Sequence, residues 1–157
     1  MKDLLMPWYA EIKFAHLIFV AIWAFSTAVA YQNYVLPAFR KAFANPDDAD
    51  AIAHRNRMIE AFDRGVVLEH VAFPMVLLTG LTLLWLGGWS PETSGWLAAK
   101  LALVLLVFIP MEIVDYRISH FSRPKREMRL AGDMESYEVA VAFHWRFLRV
   151  STVLVVT

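Results

Sequence analysis

The stretch IKFAHLIFVAIWAF, Ile12–Phe25, sets one histidine inside a run of residues that is otherwise lipid-soluble. At 1.5 Å per residue, a helix needs about 20 apolar residues to cross about 30 Å of hydrocarbon. The stretch lies within a longer apolar run that meets this length. It therefore predicts a membrane-spanning helix. Because an ionisable ring at membrane depth is costly and by default functional, the stretch also marks His16 as a candidate site residue.

The composition supports a membrane protein. The chain has 157 residues, of which 59% are hydrophobic and only 19% are charged, which is too apolar for an ordinary soluble domain. Since lipid leaves the backbone no open-ended alternative to a helix, each long apolar run predicts a helix. The sequence therefore predicts an all-α, single-domain integral membrane bundle with four transmembrane helices. These helices are expected at about 8–34, 65–88, 94–116 and 137–157.

The connections between the predicted spans differ in length and charge. Leu86–Gly95 is short and rich in Gly, Pro and Ser, so it predicts a tight turn. Asn45–Arg64 is polar but periodic, and it predicts a short amphipathic helix at the membrane surface. The two long connections carry ten Lys and Arg residues against three at the opposite ends of the spans. The positive-inside rule then places both long connections in the cytoplasm and both termini across the membrane, which we expect to be a bacterial inner membrane.

Several functional classes are excluded by composition. The chain has no cysteine, which rules out disulfides, a thiolate zinc site, an iron–sulfur cluster and c-type haem attachment. The formal net charge is zero, so no nucleic-acid partner is expected. The methionines are too scattered along the chain to predict a path for copper(I).

Polar groups within the predicted spans fall into two layers once the alternating helix directions are applied. His16 and Lys100 share the outer layer, whereas His70 and His144 lie within about two turns of the cytoplasmic starts of their helices. Neutral imidazoles from separate helices at matching depth are the ligands that a b-type haem needs. The candidate iron ligands are therefore His16, His70 and His144.

Further residues suit a bound haem. Trp23 lies on the same helical face as His16 and could pack against a porphyrin ring. The propionates could be neutralised by arginines near the rim, namely Arg64, Arg146 and Arg149.

A structural interpretation stays open for each of these groups. Each histidine could instead donate a hydrogen bond to a neighbouring helix. Lys100 could extend its ammonium group to the outer interface. Glu112 and Asp115, three residues apart on one helical face, are expected to pair with Arg117 or Arg64 rather than to form a proton relay.

Several short motifs, taken in order, resemble the HemJ-type protoporphyrinogen oxidases and the related CopD-like membrane proteins. The motifs are the His16 region followed by YVLPAF at Tyr34–Phe39, DRGVV at Asp63–Val67, GWLAAKLALVLL at Gly95–Leu106, and FHWRFLRV at Phe143–Val150. The resemblance implies a bound b-type haem, and it assigns the activity to the helix-one histidine and the helix-three lysine. Those roles fall on His16 and Lys100.

The chain departs from that family in one region. The family usually has a Tyr-His pair farther along helix three, where this chain reads FIPMEIVDY at Phe108–Tyr116. Two hypotheses follow. The first is a HemJ-like oxidase of protoporphyrinogen IX, a tetrapyrrole, with electrons passing to a quinone; His16 would ligate iron, and Lys100 would pair with a substrate propionate or assist proton removal. The second is a cytochrome b-like electron carrier, or a subunit of a larger membrane complex with no substrate of its own. Either one is expected to form a homo-oligomer or to join a membrane complex.

Overall fold

The computed structural model of the chain describes residues 2–156, and every element in that range is helical. The α-helices are α1 (Lys2–Leu5), α2 (Tyr9–Ala30), α3 (Leu36–Ala44), α4 (Ala49–Gly65), α5 (Val67–Gly87), α6 (Gly95–Leu103), α7 (Ile109–Tyr116), α8 (Lys125–Leu130) and α9 (Met134–Val156). The all-α prediction is confirmed for this part of the chain. Thr157, the predicted end of the fourth span, lies outside the described residues.

Two wide π turns precede prolines at the same spacing. Tyr31–Val35 ends two residues before Pro37, and Val104–Phe108 ends two residues before Pro110. Proline has no N–H to donate, and its ring clashes with the carbonyl four residues earlier, so a regular turn is disfavoured there. The widened turn lets the helix pass the proline. Beyond the predicted end of the first span at Tyr34, the chain stays helical through α3 to Ala44.

Three helical segments are long and apolar enough to cross a membrane. They lie within Lys2–Ala44, Ala49–Gly87 and Gly95–Leu130. Large apolar side chains on these segments face outward; Leu106, for example, is 76% exposed. These features are compatible with an integral membrane protein. The fourth predicted span corresponds to α9, which carries two arginines near its middle and is not among the three segments, so that span stays a prediction.

The described residues form two compact units. The first contains the chain up to Trp23 together with Leu68–Asp115, and the second contains Ala24–Val67 and the chain from Tyr116 onward. In the first unit, Trp23 is buried with its ring against Phe73 and Phe108, at centroid distances of 5.2 and 5.0 Å. This aromatic contact holds α2 against α5 and the π turn that follows α6.

The core of the second unit joins α3, α4, α8 and α9. Its buried members are Tyr31, Val35, Phe39, Ile59, Phe62, Val66, Met128, Tyr137, Val141 and Leu148. Phe39 stacks on Trp145 with ring centroids 4.2 Å apart and planes only 3° from parallel. The predicted helix in the first long connection is confirmed as α4, whose side chains Ile59 and Phe62 enter this core. Asp48 caps that helix by accepting hydrogen bonds from two backbone N–H groups of its first turn.

Charged side chains tie α4 to α8 and α9. The buried carboxylate of Glu60 accepts a 2.7 Å hydrogen bond from Nε of Arg129 and another from the hydroxyl of Tyr137. Arg55 pairs with Glu138. Because Glu60 is 5% exposed, its charge is compensated by these donors rather than by water.

The turn between α8 and α9 is built on two adjacent residues. Gly132 has a φ of +77°, a conformation that costs glycine little. Asp133 then accepts a hydrogen bond from the backbone N–H of Ser136 at the start of α9. The pKa of Asp133 lies below its usual range because the side chain and backbone of Ser136 bind the charged carboxylate.

Candidate functional site

His16 lies on α2 and contacts α5 within the first unit. Its Nδ1 atom is 2.9 Å from Oγ1 of Thr79, and its ring packs over Gly80. A Cβ atom at position 80 would lie only 3.2 Å from Cε1 of His16, so the absence of a side chain permits the close approach. The pair Thr79-Gly80 therefore positions the imidazole through one hydrogen bond and one close van der Waals contact.

The hydrogen bonds of Thr79 determine the tautomer of His16. Oγ1 of Thr79 also lies 2.6 Å from the carbonyl oxygen of Met75, a distance at which the hydroxyl must donate its only proton to that oxygen. The same hydroxyl oxygen then accepts from Nδ1–H of His16. In a neutral imidazole the lone pair consequently lies on Nε2, which is the nitrogen that a metal or a proton would take.

Lys100, the second residue to which the family resemblance assigns activity, belongs to the same unit. It lies on α6 with an exposed side chain, close enough to His16 for an electrostatic interaction. An ammonium group beside a neutral imidazole can bind a carboxylate while the imidazole takes up a proton or a metal ion. The two groups thus form one candidate site.

Trp23, predicted as a wall of a haem pocket, has a different set of contacts. Its indole Nε1 donates a 2.6 Å hydrogen bond to Oε1 of Glu112, and both side chains are buried. The prediction that Glu112 pairs with Arg117 or Arg64 was therefore wrong. An indole N–H from α2 takes that place because the apolar interior supplies few other donors.

His70 is paired with a carboxylate in the first unit. Its Nε2 atom lies 3.1 Å from Oδ2 of Asp115, and the side chains are 4% and 6% exposed. Asp115 was predicted to pair with an arginine, and the structure pairs it with His70. His70 precedes Thr79 by nine residues on α5, so about 13 Å of helix axis separates it from the level of His16. These two histidines cannot bind opposite faces of one iron.

His144, the third predicted ligand, lies in the second unit and is fully buried. Its Nδ1 atom is 3.1 Å from Oδ1 of Asp63, and Nζ of Lys125 lies 2.9 Å from both oxygens of the same carboxylate. Phe62 packs edge-on against the ring. Sequence reasoning missed Asp63 and Lys125 as partners, since both lie outside the predicted spans and neither forms a motif with His144.

The arginines proposed to neutralise propionates are all exposed in the second unit. They are Arg64, Arg146 and Arg149. Among residues 2–156, no group of three or more His, Cys, Asp or Glu side chains is arranged to hold a metal ion. A haem iron needs only one or two protein ligands, so that result bears on polynuclear and caged metal sites rather than on haem.

A cavity of about 270 Å³ lies in the second unit. Its lining residues are Ser26, Thr27, Ala30, Tyr34, Val35, Met58, Ala61, Phe62, Gly65 and Val66. The hydroxyls of Ser26 and Thr27 are buried, and neither has a hydrogen-bond partner among residues 2–156. An apolar cavity of about 150 Å³ accommodates one benzene ring, so this cavity suits a single substituted ring and is too small for a tetrapyrrole.

Of the predicted iron ligands, His16 is therefore the one whose surroundings best suit haem binding. The donor chemistry suits iron: a neutral imidazole with Nδ1–H held by a hydrogen-bond acceptor is the usual arrangement of a ligating histidine. Comparisons of the chain with known protein families, with curated proteins and with solved structures found no match.

Proposed function

We propose that the chain is an integral membrane redox protein that holds a b-type haem through Nε2 of His16 and acts as a HemJ-like oxidase of protoporphyrinogen IX. The observation that carries the proposal is the hydrogen-bond chain from His16 through Thr79 to the carbonyl of Met75, which leaves the imidazole lone pair on Nε2. When bound, haem supplies one-electron redox chemistry. The family resemblance of the His16 and Lys100 motifs supports the same conclusion.

The chain's own side chains have separate roles in this proposal. Lys100 binds a propionate of the reduced tetrapyrrole, which orients the substrate beside His16. Its exposed position on α6 permits a substrate to arrive from the membrane. His16 holds its ring fixed against Gly80, so the ligating atom needs no reorganisation when the site is filled.

The electron acceptor in this proposal is a quinone, whose ring the cavity of the second unit accommodates. The hydroxyls of Ser26 and Thr27 can donate to the quinone carbonyl oxygens, which would satisfy two buried groups that otherwise lack partners. Ala61→Phe should fill the cavity and raise the KM for a soluble quinone, whereas the KM for the tetrapyrrole should stay the same.

An absorption spectrum tests the haem assignment. The detergent-purified protein, oxidised and then reduced with dithionite, should show the Soret and α bands of a b-type haem, and His16→Ala should abolish them. His54→Ala on α4 is the matched control and should leave the spectrum unchanged. A protein without a Soret band, and with none recovered on haem addition, would refute the proposal.

Turnover tests the role of Lys100. A charge-assisted contact is worth about 1.5–3 kcal/mol, so Lys100→Ala should lower kcat/KM for protoporphyrinogen IX by roughly 10- to 100-fold. Lys100→Arg keeps the charge and should retain more activity. An unchanged kcat/KM in Lys100→Ala would remove the lysine from the site.

A second candidate function is a cytochrome b-like electron carrier with no substrate of its own. It is favoured by the carboxylate partners of His70 and His144, because ligating histidines commonly donate their other ring N–H to a carboxylate. This candidate predicts haem spectra with no porphyrinogen turnover. It also predicts that His70→Ala or His144→Ala reduces the Soret band more than His16→Ala does.

A further inference from the structure

An aromatic cluster in the second unit joins the π turn Tyr31–Val35 to helices α3 and α9. Trp145 stacks on Phe39. Its ring centroid also lies 5.7 Å from that of Tyr31 and 6.1 Å from that of Phe43. Phe43 is 61% exposed, so the cluster reaches the surface of the unit. Aromatic rings that are buried on one side and exposed on the other are typical of the interface between a membrane and water.

Two exposed arginines lie beside this cluster, one on each helix. Arg40 follows Phe39 on α3, and Arg149 lies one turn beyond Trp145 on α9. Both are close enough to the hydroxyl of Tyr31 for electrostatic interaction. The arginines that pair with a carboxylate among residues 2–156 are three others, namely Arg55, Arg123 and Arg129. Two guanidinium groups gathered around one hydroxyl, with no paired carboxylate in the described part of the chain, form a positive site that suits an anion with several oxygens.

An exposed apolar stripe begins next to these cations on α9. Arg146 is exposed, and Val150 and Leu154 follow it at intervals of four residues on the same face of the helix. Val150 is 62% exposed and Leu154 is 45% exposed. Arg149, three residues after Arg146, flanks this stripe. Charged residues followed by apolar ones match the order of a lipid, in which acyl chains follow the phosphate.

We propose that Arg40 and Arg149 bind the phosphate of an anionic phospholipid whose acyl chains pack along Val150 and Leu154. The apolar stripe favours a lipid over a soluble phosphate, because only a lipid would remove these two side chains from water. The two guanidinium groups favour an anionic lipid over a zwitterionic one, because they would repel the ammonium group of a zwitterionic headgroup.

Lipid binding at this site does not depend on the proposed function. The sequence predicted that Arg149 neutralises a haem propionate, and a phosphate offers that guanidinium the same kind of anionic oxygen. Arg40 was not part of that prediction. It becomes the second donor because the stacking of Phe39 on Trp145 brings α3 against α9.

Native mass spectrometry of the purified protein in detergent tests the proposal. The probes are dioleoyl-phosphatidylglycerol, which is anionic, and dioleoyl-phosphatidylcholine, which is zwitterionic and has the same acyl chains. The wild type should bind phosphatidylglycerol in preference to phosphatidylcholine. One arginine near an anionic lipid surface contributes about 5-fold in affinity, so Arg40→Gln or Arg149→Gln should weaken phosphatidylglycerol binding by about 5-fold, and the double variant by about 25-fold.

Arg123→Gln is the matched control, because it removes the same charge from an exposed arginine that is already paired with Asp133. It should leave the affinity for phosphatidylglycerol unchanged. Equal losses in Arg123→Gln and Arg149→Gln would mean that only the total charge matters, which would overturn the site. Equal binding of the two lipids by the wild type would overturn it as well. Displacement of phosphatidylglycerol by inorganic phosphate would overturn the lipid assignment, since a soluble anion would then suffice.

A conservative variant separates charge from fold. Arg149→Lys keeps the positive charge and should lose less affinity for phosphatidylglycerol than Arg149→Gln does. Equal losses in these two variants would show that the charge does not bind the lipid, which would contradict the proposal. These measurements need no added haem. A protein that binds phosphatidylglycerol as expected but lacks a Soret band would therefore refute the proposed function and leave the lipid site standing.

Discussion

Nδ1 of His16 donates to the hydroxyl of Thr79 across 2.9 Å, and this contact leaves the lone pair of a neutral ring on Nε2. Replacing Thr79 by valine preserves the volume and removes the acceptor. Because loss of such a supporting partner typically costs about 10- to 100-fold in metal affinity, Thr79→Val should weaken haem binding by that factor. A titration of the Soret absorbance measures the change.

Thr82 provides the matched control for Thr79. It lies on the same helix, three residues beyond Thr79, and it donates to the carbonyl of Leu78 in an exposed hydrogen bond. Thr82→Val should therefore leave haem affinity unchanged, and Thr79→Ser, which retains a hydroxyl, should recover most of it. Nitrogen NMR of the imidazole reports the tautomer directly without haem. A ring of His16 protonated on Nε2 in the wild type would contradict the hydrogen-bond chain.

Substitution by alanine should have opposite effects on stability at Gly80 and at Gly65. A Cβ at Gly80 would lie 3.2 Å from the ring of His16, so the ring must move by a few tenths of an ångström. Overpacking of this kind costs about 1–3 kcal/mol, and we expect Gly80→Ala to lower both stability and haem retention. At Gly65 a Cβ meets no atom within 4 Å, so Gly65→Ala should stabilise helix α4 by about 0.5–1 kcal/mol. Unfolding in detergent micelles measures both changes; equal effects would mean that the packing around Gly80 is not tight.

Removing one partner of the buried ion pair between Asp63 and Lys125 should lower the free energy of unfolding far more than removing one partner of an exposed ion pair. Lys125 is 3% exposed, and its ammonium contacts both oxygens of Asp63. Removing one partner of a buried pair typically costs about 3–5 kcal/mol, so Lys125→Met should destabilise the protein by that amount. Chemical denaturation gives the free energy of unfolding.

The control is the exposed pair Arg123 and Asp133, where the side chains are 47% and 37% exposed. Arg123→Ala should cost less than about 1 kcal/mol. The double variant Asp63→Asn with Lys125→Met should recover part of the loss, because no uncompensated charge then remains. Additive losses in the double variant would show that the two side chains do not interact.

The absence of cysteine makes the predicted orientation easy to test. A single cysteine in place of Ser90, in the short turn, should react with a membrane-impermeant maleimide added outside intact spheroplasts. A cysteine in place of Asp47, in the first long connection, should react only after the membrane is opened. The reverse pattern would invert the orientation that the Lys and Arg residues predict.

The predicted second and third spans coincide closely with helices of the structure, whereas the helix that contains the first span runs beyond its expected end. The second and third spans, expected at 65–88 and 94–116, correspond to α5 and to the segment that begins at Gly95. The first span was expected to end at about Tyr34, whereas the helix runs on to Ala44. It continues because Phe39 and Ala42 are buried in the second unit, a tertiary effect that local hydropathy does not register.

The candidate site was predictable by residue type but not by partner. His16 and Lys100 stood out because ionisable groups are rare at membrane depth. The resemblance at the second helix continues to Thr79-Gly80, but the sequence did not pair these residues with His16, because the rotation of α5 against α2 decides which residues of α5 contact the imidazole. Pairings across helices, such as Trp23 with Glu112, depend on that same rotation.

The π turn before Pro110 sets the angular register of the segment on either side of it. Twelve residues separate Lys100 from Glu112, and in regular winding they would point about 120° apart. A π turn absorbs one residue, which brings that angle to about 20°. His16 and Trp23, seven residues apart on α2, are also about 20° apart. The extra residue therefore places Lys100 and Glu112 on nearly the same face of their segment, as His16 and Trp23 are on α2. The wide turn before Pro110 thus determines which side chains of that segment contact α2.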